Sequence, residues 1–165
     1  MNLSKNFLIA VGAGLVCVAI LVTGIVYMQR GAHVTVSGQI LKVRTAPLSD
    51  SATLLVLDFR VTNPADYPFL TRKVTAIFED AAGNRTEGLT ASEIDAQHIF
   101  QGIPVLGEKY NPTLIINEAV NPRSSLDRMV AARFEMPEAA LQGRKRFVVR
   151  IEEFNRGEVF EISER

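Results

Sequence analysis

Apolar and polar positions follow two different rhythms along this chain. Residues 7–28, FLIAVGAGLVCVAILVTGIVYM, run for 22 positions without a charge, whereas from about residue 34 onward apolar and polar side chains tend to alternate. At about 1.5 Å per residue the uncharged run makes a helix of roughly 33 Å, enough to cross a hydrocarbon core of about 30 Å. It is therefore expected to be a transmembrane anchor, preceded by a leader of residues 1–6 and followed by a linker of residues 29–33. A cleaved signal peptide fits less well, because its apolar core is usually about 7–15 residues and ends on a small-x-small step. Here the run exits through Tyr27-Met28-Gln29-Arg30-Gly31-Ala32, and Cys17 sits in mid-run rather than at the end, where a lipoprotein would carry it. Tyr27 suits the interfacial belt of amphipathic aromatic rings. The flanking charges, Lys5 before and Arg30 after, hardly bias the orientation. A short leader ahead of a long domain favours a cytoplasmic N-terminus, which places residues 30–165 outside the cytoplasm, in a periplasm or on a cell surface.

Residues 34–165 read as one mainly β domain. In 54–61, Leu55, Leu57, Phe59 and Val61 share one face while Asp58 and Arg60 share the other, the pattern of a strand with one side in the core and one in water. In 130–136, Val130, Ala132, Phe134 and Met136 point inward and Arg133 and Glu135 outward. Less regular strands are expected over residues 34–43, 69–79, 113–117, 147–153 and 159–162. Between them stand Asn63-Pro64, Asp80-Ala81-Ala82-Gly83-Asn84, Asn111-Pro112, Asn121-Pro122 and Asn155-Arg156-Gly157. Proline lacks a donor and fixes φ, and glycine and asparagine tolerate positive φ, so each of these ends a ladder. About seven short strands with such punctuation predict an antiparallel β-sandwich. One insertion departs from it: Thr90-Ala91-Ser92-Glu93 has the form of a capping box and predicts a short helix through about Phe100. A second helical turn is expected near residues 137–141, with Pro137 at its first position.

The order of segments resembles the small immunoglobulin-like β-sandwich domains of bacterial membrane and surface proteins, similar in architecture to late-embryogenesis-abundant and water-stress domains. The resemblance is carried by Leu57-Asp58-Phe59-Arg60-Val61-Thr62-Asn63-Pro64, by Ile77-Phe78-Glu79-Asp80-Ala81-Ala82-Gly83-Asn84 and by Ala132-Arg133-Phe134-Glu135-Met136-Pro137, and it covers residue 53 to the C-terminus. It implies a tethered, non-enzymatic module and carries over no functional residues.

Charge and chemistry narrow the function further. Residues 30–165 hold all 18 acidic residues against 18 − 1 = 17 Lys and Arg, whereas a nucleic-acid binder normally shows a basic excess. The densest basic cluster, Arg144-Lys145-Arg146, is expected to be a solvated turn at a strand entrance. The single cysteine lies in the apolar run, so the domain contains neither disulfide nor thiol chemistry. His33 and His98 are not spaced as a metal motif, and no nucleophile elbow or phosphate loop is present. No enzyme activity, metal or cofactor is expected. The alternative is a membrane-tethered enzyme with a non-standard site near Glu93, Asp95 and His98. The favoured partners are the membrane, through residues 7–28, and another envelope protein. The nominated binding residues are Ile103, Val105, Leu106 and Tyr110, on a segment whose two prolines and two glycines disfavour a long strand and leave apolar groups accessible.

Overall fold

The computed structural model describes residues 5–29 and 36–164, which fall in two compact units, one within Met1–His33 and one within Val34–Arg165. Among the described residues the first unit is one 25-residue helix, α1 (Lys5–Gln29). No proline interrupts it, and its three glycines face open space. Among the described residues no helix is long and apolar enough to cross a membrane.

The second unit is mainly β, with two antiparallel sheets consistent with a sandwich. The strands are β1 (Ser37–Ser49), β2 (Ala52–Asn63), β3 (Phe69–Asp80), β4 (Arg85–Glu87), β5 (Leu89–Thr90), β6 (Ala119–Val120), β7 (Ser124–Phe134), β8 (Arg144–Glu153) and β9 (Val159–Ser163). Sheet one has the order β1-β2-β7-β5; sheet two has β4-β3-β8-β9, with β6 pairing the start of β3. The helices α2 (Glu93–Gly102) and α3 (Glu138–Gln142) lie in the connections.

Alternation builds the core between the sheets. Leu55, Leu57, Phe59 and Val61 on β2 and Val130, Ala132 and Phe134 on β7 meet Ala76, Phe78, Phe147, Val149 and Ile151 of sheet two. The aromatic rings Phe59, Phe69, Phe134 and Phe147 are all fully buried. Asn63 shows why its Asn-Pro signal ends β2. Its side-chain amide donates to the carbonyls of Tyr67 and Val120, and its oxygen accepts from the Ala65 amide, which ties the crossing between sheets to β6.

Gly88, where the chain leaves sheet two for sheet one, has no room for a side chain. A Cβ there would stand 2.7 Å from the Phe134 ring and 2.9 Å from the Ala132 Cβ. Gly88→Ala is expected to cost about 1–3 kcal/mol by overpacking. A thermal melt matching the parent would show that the crossing has slack.

Several sequence expectations shift. Residues 34–35 of the strand expected over 34–43 lie outside the described residues; β1 starts at Ser37 and extends past residue 43 to Ser49. Residues 113–117 form no strand; Thr113 makes only an isolated parallel bridge to Met129. The cap of α2 is Ser92, not Thr90: the Ser92 hydroxyl accepts from the Asp95 amide and the Asp95 carboxylate accepts from the Ser92 amide. Thr90 belongs to β5, and its hydroxyl donates to the Val74 carbonyl. Pro137 is the cap residue of α3 rather than its first helical position. Arg144, Lys145 and Arg146 are not a solvated turn; they open β8 and pair with Glu164 and Glu79. Asp58 does not face water, because the outer face of β2 is covered.

Candidate functional site

That cover is residues 91–118, the insertion between β5 and β6. On α2 the apolar residues Ala96, Ile99 and Phe100, followed by Ile103, recur at helical spacing and line one face. They lie over Ala46, Leu54, Val56, Met129 and Ala131 on the outer face of sheet one, forming a second core. A 3₁₀ turn at Pro104–Leu106 delivers Leu106 into it. Gly107, at φ +74, then reverses the chain in a region that a side chain rarely adopts.

Two polar pins hold the cover. The first is the buried pair Arg44 and Asp58, with 2.6 Å between Nη2 and Oδ2. Arg44 Nη1 also donates to the carbonyls of Leu106 (2.9 Å) and Glu108 (2.7 Å), while the Asn111 amide donates to Asp58 Oδ1 at 2.9 Å. The Arg44 guanidinium lies 4.8 Å from the Phe100 ring and 5.5 Å from that of Tyr110. Its Nε meets no acceptor within the protein. The second pin is Glu93, which accepts from Lys109 Nζ at 2.7 Å and from the Thr113 amide at 2.8 Å.

Burial pushes the Glu93 carboxyl upward, but the donations from Lys109 and Thr113 prevail and hold it down at about 2. On the outer face of sheet two, donation from Arg146 and Lys145 holds the Glu79 carboxyl at about 2 as well. Both values lie below the ordinary 4.5. A carboxyl depressed by folding stabilises the fold above its unfolded pKa, and that contribution is lost as pH falls through the folded value. The domain is therefore expected to lose stability between about pH 4.5 and pH 2, with Glu79→Gln flattening part of the profile. Urea midpoints that stay constant across this window would contradict the pairing.

The nominated residues separate. Leu106 is 3 % exposed and belongs to the second core; Ile103 is half-buried against the same core. Val105 and Tyr110 are exposed, at 77 % and 60 %. Lys42 Nζ stands 4.8 Å over the Tyr110 ring. Among the alternative set, Glu93 is engaged by Lys109, Asp95 by the helix cap, and His98 is exposed. Among the described residues no group of three His, Cys, Asp or Glu side chains is placed to hold a metal.

Sequence reasoning did not nominate a groove of roughly 660 Å³ bounded by β3, residues 87–93 and residues 113–116. Its rim carries the exposed side chains of Leu89, Ile115 and Ile116, and Val74 and Leu114 from the main core lie along it. The consecutive apolar residues Leu114-Ile115-Ile116 were the available signal, but they suggest a strand rather than a loop.

No family model matches this chain, and no curated protein matches it. Solved structures do. An uncharacterized β-sandwich protein from Clostridium difficile 630 is 12 % identical at TM-score 0.30, with 81 % of this chain and 82 % of that one covered. A Bordetella pertussis protein is 14 % identical at TM-score 0.33, covering 81 % and 89 %. A structural-genomics target is 13 % identical at TM-score 0.34, covering 81 % of each chain. These scores bear on neither family nor function.

Proposed function

We propose that this protein is a membrane-anchored, non-enzymatic, immunoglobulin-like β-sandwich module that binds another protein of the cell envelope. The observation that carries the binding role is the distribution of exposed apolar side chains. Among the described residues outside α1 there are ten large ones, and six of them, Leu89, Ile94, Val105, Tyr110, Ile115 and Ile116, fall within residues 89–116. Apolar groups exposed along one segment over a rigid sheet are the usual substance of a partner surface. The immunoglobulin-like reading is supported by strand order. With β6 set aside and the other strands lettered A, B, C, C′, D, E, F and G, sheet one reads A-B-E-D and sheet two C′-C-F-G. Support for the anchor comes from the uncharged run of residues 7–28, which lies within the 25 residues of α1.

Two measurements test this reading. A C-terminal reporter that works only after export is expected to be active; activity confined to a cytoplasmic reporter would reverse the orientation. In membranes, Tyr110→Ala is expected to abolish cross-linking to the partner with little change in melting temperature, because the exposed ring contributes at most about 1 kcal/mol through its cation contacts. A large fall in stability with cross-linking per folded molecule unchanged would remove Tyr110 from the binding surface.

A further inference from the structure

The chain enters the sandwich at one end. Seven residues, 30–36, join α1 to β1, and a chain of that length spans at most about 25 Å. Ser37 stands opposite Thr62, and Asn63 opposite Ser124, so the same end carries residues 64–68 and 121–123, which link β2 to β3 and β6 to β7. Thr71 stands opposite Glu153, which adds residues 154–158, the turn between β8 and β9. Polar contacts knit these connections together. The Arg123 amide donates to the Ala65 carbonyl at 3.1 Å, and the Phe154 amide to the Leu70 carbonyl at 2.8 Å. Arg156 lies 4.4 Å over the Tyr67 ring, and its Nη1 donates to the Tyr67 hydroxyl at 2.9 Å.

The β8-β9 turn projects past the point of entry. A Cβ on Gly38 would stand 2.5 Å from the Ile162 side chain, so these two residues are level. β9 begins 162 − 159 = 3 residues nearer the turn, at Val159, which sets its start about 10 Å beyond Gly38. Phe154 and Val159 flank the turn, each 54 % exposed. Among the described residues outside α1 and outside 89–116, they are two of the four large apolar side chains that lie exposed. Charge at this end cancels: residues 64–68, 121–123 and 154–158 hold Asp66 and Glu158 against Arg123 and Arg156.

We propose that the β8-β9 turn dips into the surface of the bilayer, with Phe154 and Val159 below the lipid headgroups and the Tyr67 and Arg156 stack level with them. An amphipathic ring and a long cationic side chain suit that layer, where each keeps its apolar part in lipid and its polar tip in water. This rests on the anchor reading and goes beyond it. The short tether keeps the turn at high effective concentration near the lipid, so a contact too weak to act alone is occupied. A domain held by both anchor and turn cannot roll freely on its tether.

The chain contains no tryptophan, so single introduced ones report their own surroundings. The full chain is reconstituted in phosphatidylcholine vesicles, with and without bromine on the acyl chains. Phe154→Trp and Val159→Trp are expected to emit at shorter wavelength than Leu48→Trp and to lose emission to the brominated lipid. Leu48→Trp, exposed near the opposite end of β1, should lose none. Leu15→Trp reports the anchor itself and should be quenched. All four side chains are exposed, so each variant should melt with the parent. Quenching of Leu15→Trp with none at Phe154→Trp or Val159→Trp would overturn the turn contact and leave the anchor standing. Absence of quenching at all four positions removes both readings. Equal quenching of Leu48→Trp would overturn the stated orientation. Because charge cancels at this end, adding anionic lipid should leave the Phe154→Trp signal unchanged; a signal that appears only with anionic lipid would overturn apolar insertion.

Discussion

Asp58→Ala is expected to destabilise the domain by about 3–5 kcal/mol, because it leaves the Arg44 guanidinium buried without its counter-ion. The pair is 7 % and 3 % exposed, and Asp58 also accepts from Asn111, so one substitution loosens both β1 and the chain after the 3₁₀ turn from β2. Replacing both charges, Arg44→Met with Asp58→Leu, is expected to recover most of the loss, since a buried ion pair is worth little more than well-packed apolar groups. A double variant as unstable as Asp58→Ala alone would show that the Arg44 bonds to Leu106 and Glu108, rather than charge compensation, hold the cover.

Phe59→Ala and Phe134→Ala should each cost about 3–5 kcal/mol in the Val34–Arg165 unit. Both rings are fully buried in the core between the sheets, at 0 % and 1 % exposure. They lie on paired strands, β2 and β7, with Phe134 opposite Thr53 and Phe59 opposite Arg128. Chemical denaturation should show a lower midpoint for each, and parent-like midpoints for both would place these rings outside the core.

The inner face of the sheets was legible because a period of two needs only neighbouring residues: Leu55, Leu57, Phe59 and Val61 face the core as their spacing predicts. The covered outer face was partly legible and was misread. Leu54 and Val56 make 54–57 a continuous apolar run, the signature of a strand buried on both faces, but Asp58 and Arg60 drew the reading toward water. Arg60 does reach the surface, where it grips Asp127 at 2.6 and 2.8 Å. Asp58 stays buried because its partner lies on another strand, and side-chain pairing between strands leaves no periodic trace. The capping signal identified the right helix and the wrong residue, since Thr90 and Ser92 are both able to cap and only β5 pairing decides between them. The groove was illegible for a similar reason: residues 73–75, 87–93 and 113–116 are brought together by the fold alone.

The pairing of β2 with β7 also sets an order of assembly. The closest pair in sequence, Asn63 with Ser124, is 124 − 63 = 61 residues apart, and the farthest, Thr53 with Phe134, is 134 − 53 = 81. Hairpins β1-β2 and β3-β4 can form as soon as their own residues are free, but sheet one waits for a loop closure whose entropy must be met before any β7 contact offsets it. Until then β2 has apolar side chains open on both faces. Residues 91–118 are made before β7 yet have no complete surface on which to settle, because Met129 and Ala131 belong to the floor beneath them. Docking of the cover is therefore expected to follow closure of the sheet, and a chain stopped before residue 129 would expose the apolar residues that the finished domain covers on both sides of β2.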